Sequence, residues 1–140
     1  MKLLPPLFLF YYEEVKMSGV IAIFDCDSNF PPYFEKTMKY LHFGVPTTDE
    51  KNWVGHIAEL GVHVSDPTAD PFGIEWLKFD ANSPMDKAIQ TKAHAAFQVD
   101  DLDAAVAGKK ILLAPMSPMP GLRIAFIEHE GAVIELSQQG

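Results

Sequence analysis

Apolar and polar positions alternate with a period of two over most of the chain from residue 38 onward, the pattern of strands with one buried face. In Tyr40 to Val45, Leu41, Phe43 and Val45 share one face and Tyr40, His42 and Gly44 the other, and Pro46 ends the segment. Thr47 followed by Glu50 has capping-box spacing and predicts a short helix over Asp49 to Trp53. Gly55 to Ser65 predicts either one half-buried strand or a bent pair, with Ala58, Leu60, Val62 and Val64 facing one way and Glu59 and His63 the other. The Asp-Pro steps of DPTADPFG predict a loop, GIEWLKFD a strand, and Asn82 to Pro84 closes this half.

A second series follows. Ala93 to Val99 alternates, with Ala95, Phe97 and Val99 opposite His94, Ala96 and Gln98. Asp100 or Asp101 then caps a short helix, DLDAAVAG, that stops at Gly108. KKILLAP predicts a strand and the proline-containing MSPMPG a loop, with Met116 and Met119 at its tip. Leu122 to Ile127 and Ala132 to Ser137 predict the last strands, joined by a turn around Glu128 to Gly131. Each half reads β-α-β-β-β, so the fold class is α+β, two βαβββ modules at about 38–84 and 92–138.

The repeat gives the polar positions a meaning. His42, Glu75, His94 and Glu135 each lie inside a predicted strand, in His-Glu, His-Glu order, separated within the halves by 33 and 41 residues. In the strands of His42, His94 and Glu135 the polar residue is on the face away from the large apolar side chains. If helices cover the apolar face, the four side chains point into the concave side of a cupped mixed sheet. Two imidazoles and two carboxylates gathered there make a divalent-metal site with positions left for water or substrate. The plain alternative for each is a hydrogen-bonded or solvated strand residue. His63 and Glu59 are second-choice ligands with solvent exposure as the simpler reading, and His56 and His129 fall at turns. Trp53, Trp76 and Phe72 belong either to a pocket wall or to the core.

Composition narrows the partners. Of 140 residues, 48% are apolar and 21% charged, a globular balance large enough for a core without disulfides. A formal charge of −8 with no basic run beyond Lys109-Lys110 disfavours nucleic acid and anionic membranes as partners. The single cysteine, Cys26, offers neither an intrachain disulfide nor a thiolate cage and fits a reducing, cytoplasmic setting. MKLLPPLFLFYY is interrupted by Pro5-Pro6, lacks a small-residue cleavage site and is too short to span a bilayer. Two readings of residues 1–37 stay open: an extension or misassigned start ahead of a domain at 38–140, or a strand at Val20 to Asp25 that packs on that domain.

AHAAFQVDDLDAAV, the closing AFIEHEGAVIEL and the His-Glu pairs together resemble the vicinal-oxygen-chelate superfamily, which includes lactoylglutathione lyase, methylmalonyl-CoA epimerase, extradiol dioxygenases and bleomycin-binding proteins. The resemblance covers roughly Met38 to Gln138 and implies a glyoxalase-like fold and a homodimer with a small-molecule substrate. It implies a metal, one of Ni, Co, Zn, Mn or Fe, held by His42, Glu75, His94 and Glu135. Glu135 would be ligand and catalytic base, with Glu75 its catalytic counterpart across the metal. The implied activity is that of a lyase or isomerase moving a proton next to a carbonyl. A metal-free binding protein of the bleomycin-resistance type is an alternative, as is an Fe(II) extradiol dioxygenase using His42, His94 and Glu135. Pro46 and Phe79 stand where glutathione-using members carry Arg and Asn, and Arg123 is the sole arginine, which argues against glutathione.

Overall fold

The structure is a computed structural model that describes residues 38–140, so the two readings of residues 1–37 lie outside it. Eight strands, β1 (Lys39–Pro46), β2 (Trp53–Ile57), β3 (Val62–Ser65), β4 (Ile74–Phe79), β5 (His94–Gln98), β6 (Lys110–Met119), β7 (Leu122–His129) and β8 (Ala132–Gln139), form one mixed sheet. Its order is β2-β3-β4-β1-β5-β8-β7-β6. Read outward from the centre, the two halves are the same motif: β1 pairs parallel with β4 as β5 does with β8, and β1 meets β5 antiparallel at the seam. The repeat inferred from the sequence is therefore a repeat in space.

The sheet curls into a cup. Val62 and Leu77 of the first half share a buried cluster with Ile124 and Phe126 of the second. β3 and β7 are five strand steps apart. A flat sheet would hold them roughly 24 Å from each other at ~4.8 Å per step, too far for side-chain contact. Helix α1 (Lys87–Thr91) caps this inner cluster with Ile89, which is wholly buried. Helix α2 (Leu102–Val106) covers the other face of the second half, packing Leu102 and Val106 on Ala125, Ile127 and Leu136. Alternation along β7 sends Ile124 and Phe126 inward and Ala125 and Ile127 outward.

The α+β class and the cupped mixed sheet agree with the sequence reading, and four local expectations need correction. No helix forms over Asp49 to Trp53, because Glu50, the other half of its capping box, is engaged elsewhere. The Thr47 hydroxyl accepts from the Asp49 N–H at 3.1 Å, and Glu50 takes Trp53 Nε1–H and the Lys78 ammonium. α1 was not predicted; Asp86 caps it by accepting from the Ala88 N–H at 2.8 Å. Met116 to Met119 of MSPMPG are not loop but the end of β6, with Pro120-Gly121 as the turn, and the strand's prolines are tolerated because β6 is an edge strand paired only with β7. A bulge between Tyr40 and His42 turns Tyr40 away from the face of His42 and onto Phe97, with ring centroids 5.9 Å apart. Gly55 to Ser65 resolves into the pair β2 and β3. Among the described residues no helix is long and apolar enough to cross a membrane.

Candidate metal centre

The four predicted residues stand on the four central strands, His42 on β1, Glu75 on β4, His94 on β5 and Glu135 on β8. Strand register brings them together by one rule used twice. Gly44, two residues after His42, is the partner of Glu75 on β4; Ala96, two residues after His94, is the partner of Glu135 on β8. Across the seam Gly44 pairs with His94 and Ala96 with His42. Each half thus contributes one imidazole and one carboxylate on the inner face, with a small residue between them.

The convergence is tight for three of the four. His42, His94 and Glu135 each offer a donor atom within 4.8 Å of the other two. His94 Nε2–H donates to Glu135 Oε2 at 3.1 Å, and His42 Nε2 lies 3.4 Å from the same oxygen. Glu75 falls outside this mutual set but touches it through His42, its Oε2 3.0 Å from Nε2. Although two carboxylate oxygens lie this close to His42 Nε2, neither is aligned with the ring N–H, and this buried nitrogen makes no hydrogen bond.

Protonation follows from the geometry. Burial pushes the Glu75 carboxyl up to about 7, against the attraction of His42, and the nearby charge of Glu135 adds to the rise. Burial also opposes ionisation of Glu135, but contacts from both imidazoles outweigh it and hold this carboxylate well below its ordinary range. Burial works against a charged His42, yet the carboxylates of Glu135 and Glu75 raise its pKa above the usual value. The centre therefore has an ionised carboxylate between two imidazoles and a second carboxyl poised to exchange a proton.

Two features make room for the site. A Cβ on Gly44 would overlap the His94 ring, lying 2.7 Å from Nδ1 and closer still to Cε1 and Nε2. His94 fills that space at 2% exposure, edge-on to Phe126 at 4.9 Å between centroids. Beside it is a cavity of about 50 Å³, walled chiefly by apolar side chains such as Val64, Leu77, Phe79 and Ile89, with Glu75, His94 and Glu135 as its polar lining. The volume suits a metal with a few water-sized ligands.

The other sequence candidates lie elsewhere. Glu59 and His129 are exposed, Phe72 is 82% exposed, and Trp76 lies under the Lys51 ammonium at 4.4 Å. His63 does join a ligand set, but its companions are His56 and Asp80 rather than Glu59. That cluster was missed because His56 and His63 meet as direct cross-strand partners, a pairing fixed by the register of β2 on β3.

No family model matches the chain, and no curated protein matches it either. Among solved structures it is similar to a hypothetical protein, BH1468 from Bacillus halodurans C-125, with a TM-score of 0.56 and 20% identity, covering 75% of this chain and 96% of that one. At that identity the likeness is one of fold. Together with the curled eight-stranded sheet it is consistent with a vicinal-oxygen-chelate-like architecture.

Proposed function

We propose that the protein is a metal-dependent lyase or isomerase of the vicinal-oxygen-chelate type, moving a proton on the carbon next to a carbonyl of a small substrate with adjacent oxygens. The observation that carries this reading is the convergence of His42, His94 and Glu135, with Glu75 against His42, on the inner face of the cup. A divalent ion fits these residues: His42 Nε2 is a buried donor with no hydrogen bond, and the imidazole-carboxylate set suits Ni, Co, Zn, Mn or Fe(II). When bound, such an ion polarises a substrate carbonyl.

The side chains divide the remaining work. Glu135, shared by both imidazoles, is the anionic ligand. Glu75 reaches only His42 and is the carboxylate left to take a proton from the substrate carbon and return it. Phe79 and the other apolar residues of the cavity wall favour a small substrate. Arg123 cannot serve a large anionic substrate there, because both its terminal nitrogens donate to Asp103 at 2.9 Å.

A second reading has one observation in its favour. Of the four residues at this centre, His42, His94 and Glu135 are the three mutually within ligand distance, and two histidines with one carboxylate is the face used by Fe(II) oxygenases. One experiment separates the two. Metal-loaded protein is incubated with small α-hydroxy ketones in heavy water, and deuterium at the α carbon is followed by NMR. The lyase reading expects exchange that Glu75→Gln slows about 10²- to 10⁴-fold with metal content unchanged. Oxygen uptake with a catechol that survives Glu75→Ala would move the function to ring cleavage.

A further inference from the structure

On the opposite face of the sheet from the centre described above, β3 presents His63 between His56 of β2 and Lys78 of β4. Val62 and Val64 on either side of His63 point into the cup, so His63 points out of it. The His56 and His63 rings stack at 4.1 Å between centroids and 25° between planes. Both Nε2 atoms reach one carboxylate: His56 Nε2 is 2.8 Å from Asp80 Oδ2 and His63 Nε2 is 3.4 Å from Asp80 Oδ1. A single His–Asp hydrogen bond would need only one of these rings. Here a second imidazole is brought to the second oxygen.

We infer that His56, His63 and Asp80 form a second divalent-metal site, of the zinc class, that clamps the edge hairpin β2–β3 to the end of β4. All three donor atoms lie within 4.8 Å of one another. Ligand atoms on a tetrahedral ion with bonds of ~2.1 Å are roughly 3.4 Å apart, so the triad reaches that spacing by a small adjustment in which the stacked rings splay and both Nε2 lone pairs turn toward one ion. β2 can supply that movement, since it is an edge strand hydrogen-bonded only to β3. Asp80 is held more firmly: its N–H donates to the Gly61 carbonyl at 2.8 Å and its carbonyl accepts from the Ser83 N–H at 3.0 Å. Among the described residues its side-chain partners are these two histidines alone, because Lys78 is taken by Glu50. Partial exposure, 31–40% for the three side chains, leaves the ion open to solvent and to a water ligand.

The site stands apart from the first and is tested apart from it. Untagged full-length protein, stripped with chelator, is dialysed against zinc and assayed for metal content, with circular dichroism as the check on folding. Wild type should hold about two zinc ions per chain and the His42→Ala, His94→Ala variant about one. Adding Asp80→Asn, which keeps a hydrogen-bond acceptor for His56 but removes the charge, should weaken that remaining zinc by about tenfold or more, as should His63→Gln. Cobalt in place of zinc should give the visible spectrum of a tetrahedral ion in the same variants. No zinc in the folded His42→Ala, His94→Ala protein would overturn the inference, and so would a zinc indifferent to both Asp80→Asn and His63→Gln. Failure of the first centre alone would show differently, as one zinc in wild type that Asp80→Asn removes.

Discussion

Gly44 is the position at which a single methyl group bears most directly on the metal centre. Alanine there collides with the His94 ring, which has Phe126 against it, so the ring must shift from its place in the site. Gly44→Ala should cost about 1–3 kcal/mol of stability through overpacking. It should also lower metal affinity about 10- to 100-fold by moving a ligand. Urea melts and equilibrium dialysis check the two effects, and unchanged affinity would remove His94 from the ligand set. Protonation at the same centre predicts a pH profile for metal-free protein. Burial raises Glu75 from 4.5 to about 7, so between those values the folded chain binds more protons than the unfolded one, and stability falls as pH rises. His42, raised from 6.5 despite its burial, extends the fall past neutrality. Glu135 acts in the opposite sense, but below the ordinary carboxylate range, losing its contribution only as the pH drops through that region. Chelator-treated protein should therefore lose stability from about pH 5 to about pH 8, and Glu75→Gln should flatten most of the slope. A level wild-type profile would contradict the assignment.

At the scale of elements, the features legible in the sequence are those that depend on local alternation. β1, β4, β5 and β8 were readable because a period of two is intrinsic to a strand, and this put His42, His94 and Glu135 on one face before any partner strand was known. The N-cap of α2 was readable as Asp100 or Asp101 for the same local reason, and Asp101 is the one that accepts from the Ala104 N–H. What stayed hidden depends on partners distant in sequence. The Thr47 and Glu50 capping box is sound by spacing but loses Glu50 to Trp53 and Lys78. The prolines of β6 are strand residues only because the sheet ends there, and the His56, His63 and Asp80 cluster exists only in the register of three strands. Helix α1 is too short, at five residues, to show a helical period, yet it closes the inner cluster. Its importance is measurable: Ile89→Ala should cost about 2–5 kcal/mol by cavity formation. Asp86→Ala should cost about 1 kcal/mol by loss of the cap. A smaller effect for Ile89 in urea unfolding would mean that the inner cluster closes without α1.

For the molecule as a whole, the metal centre and the seam are the same place. The two modules meet at β1 and β5, and each supplies an imidazole and a carboxylate there, so an ion at the centre is a crosslink between halves otherwise joined by one antiparallel strand pair and the inner apolar cluster. Binding only to the folded cup, it should stabilise the domain by about 2.7 kcal/mol at a free concentration one hundredfold above Kd. For a domain of roughly one hundred residues, where each kcal/mol moves Tm by ~4–8 °C, this is a rise of roughly 10–20 °C that a chelator reverses. In an Asp80→Asn background, which silences the cluster on the opposite face, the rise belongs to the seam alone. His42→Ala, which removes the first module's one member of the triad, should then abolish it, whereas His94→Ala leaves Glu135 in the second module and should only reduce it. A rise that survived His42→Ala undiminished would place the ion within the second module, and the cup would have to hold its two halves together by apolar packing alone.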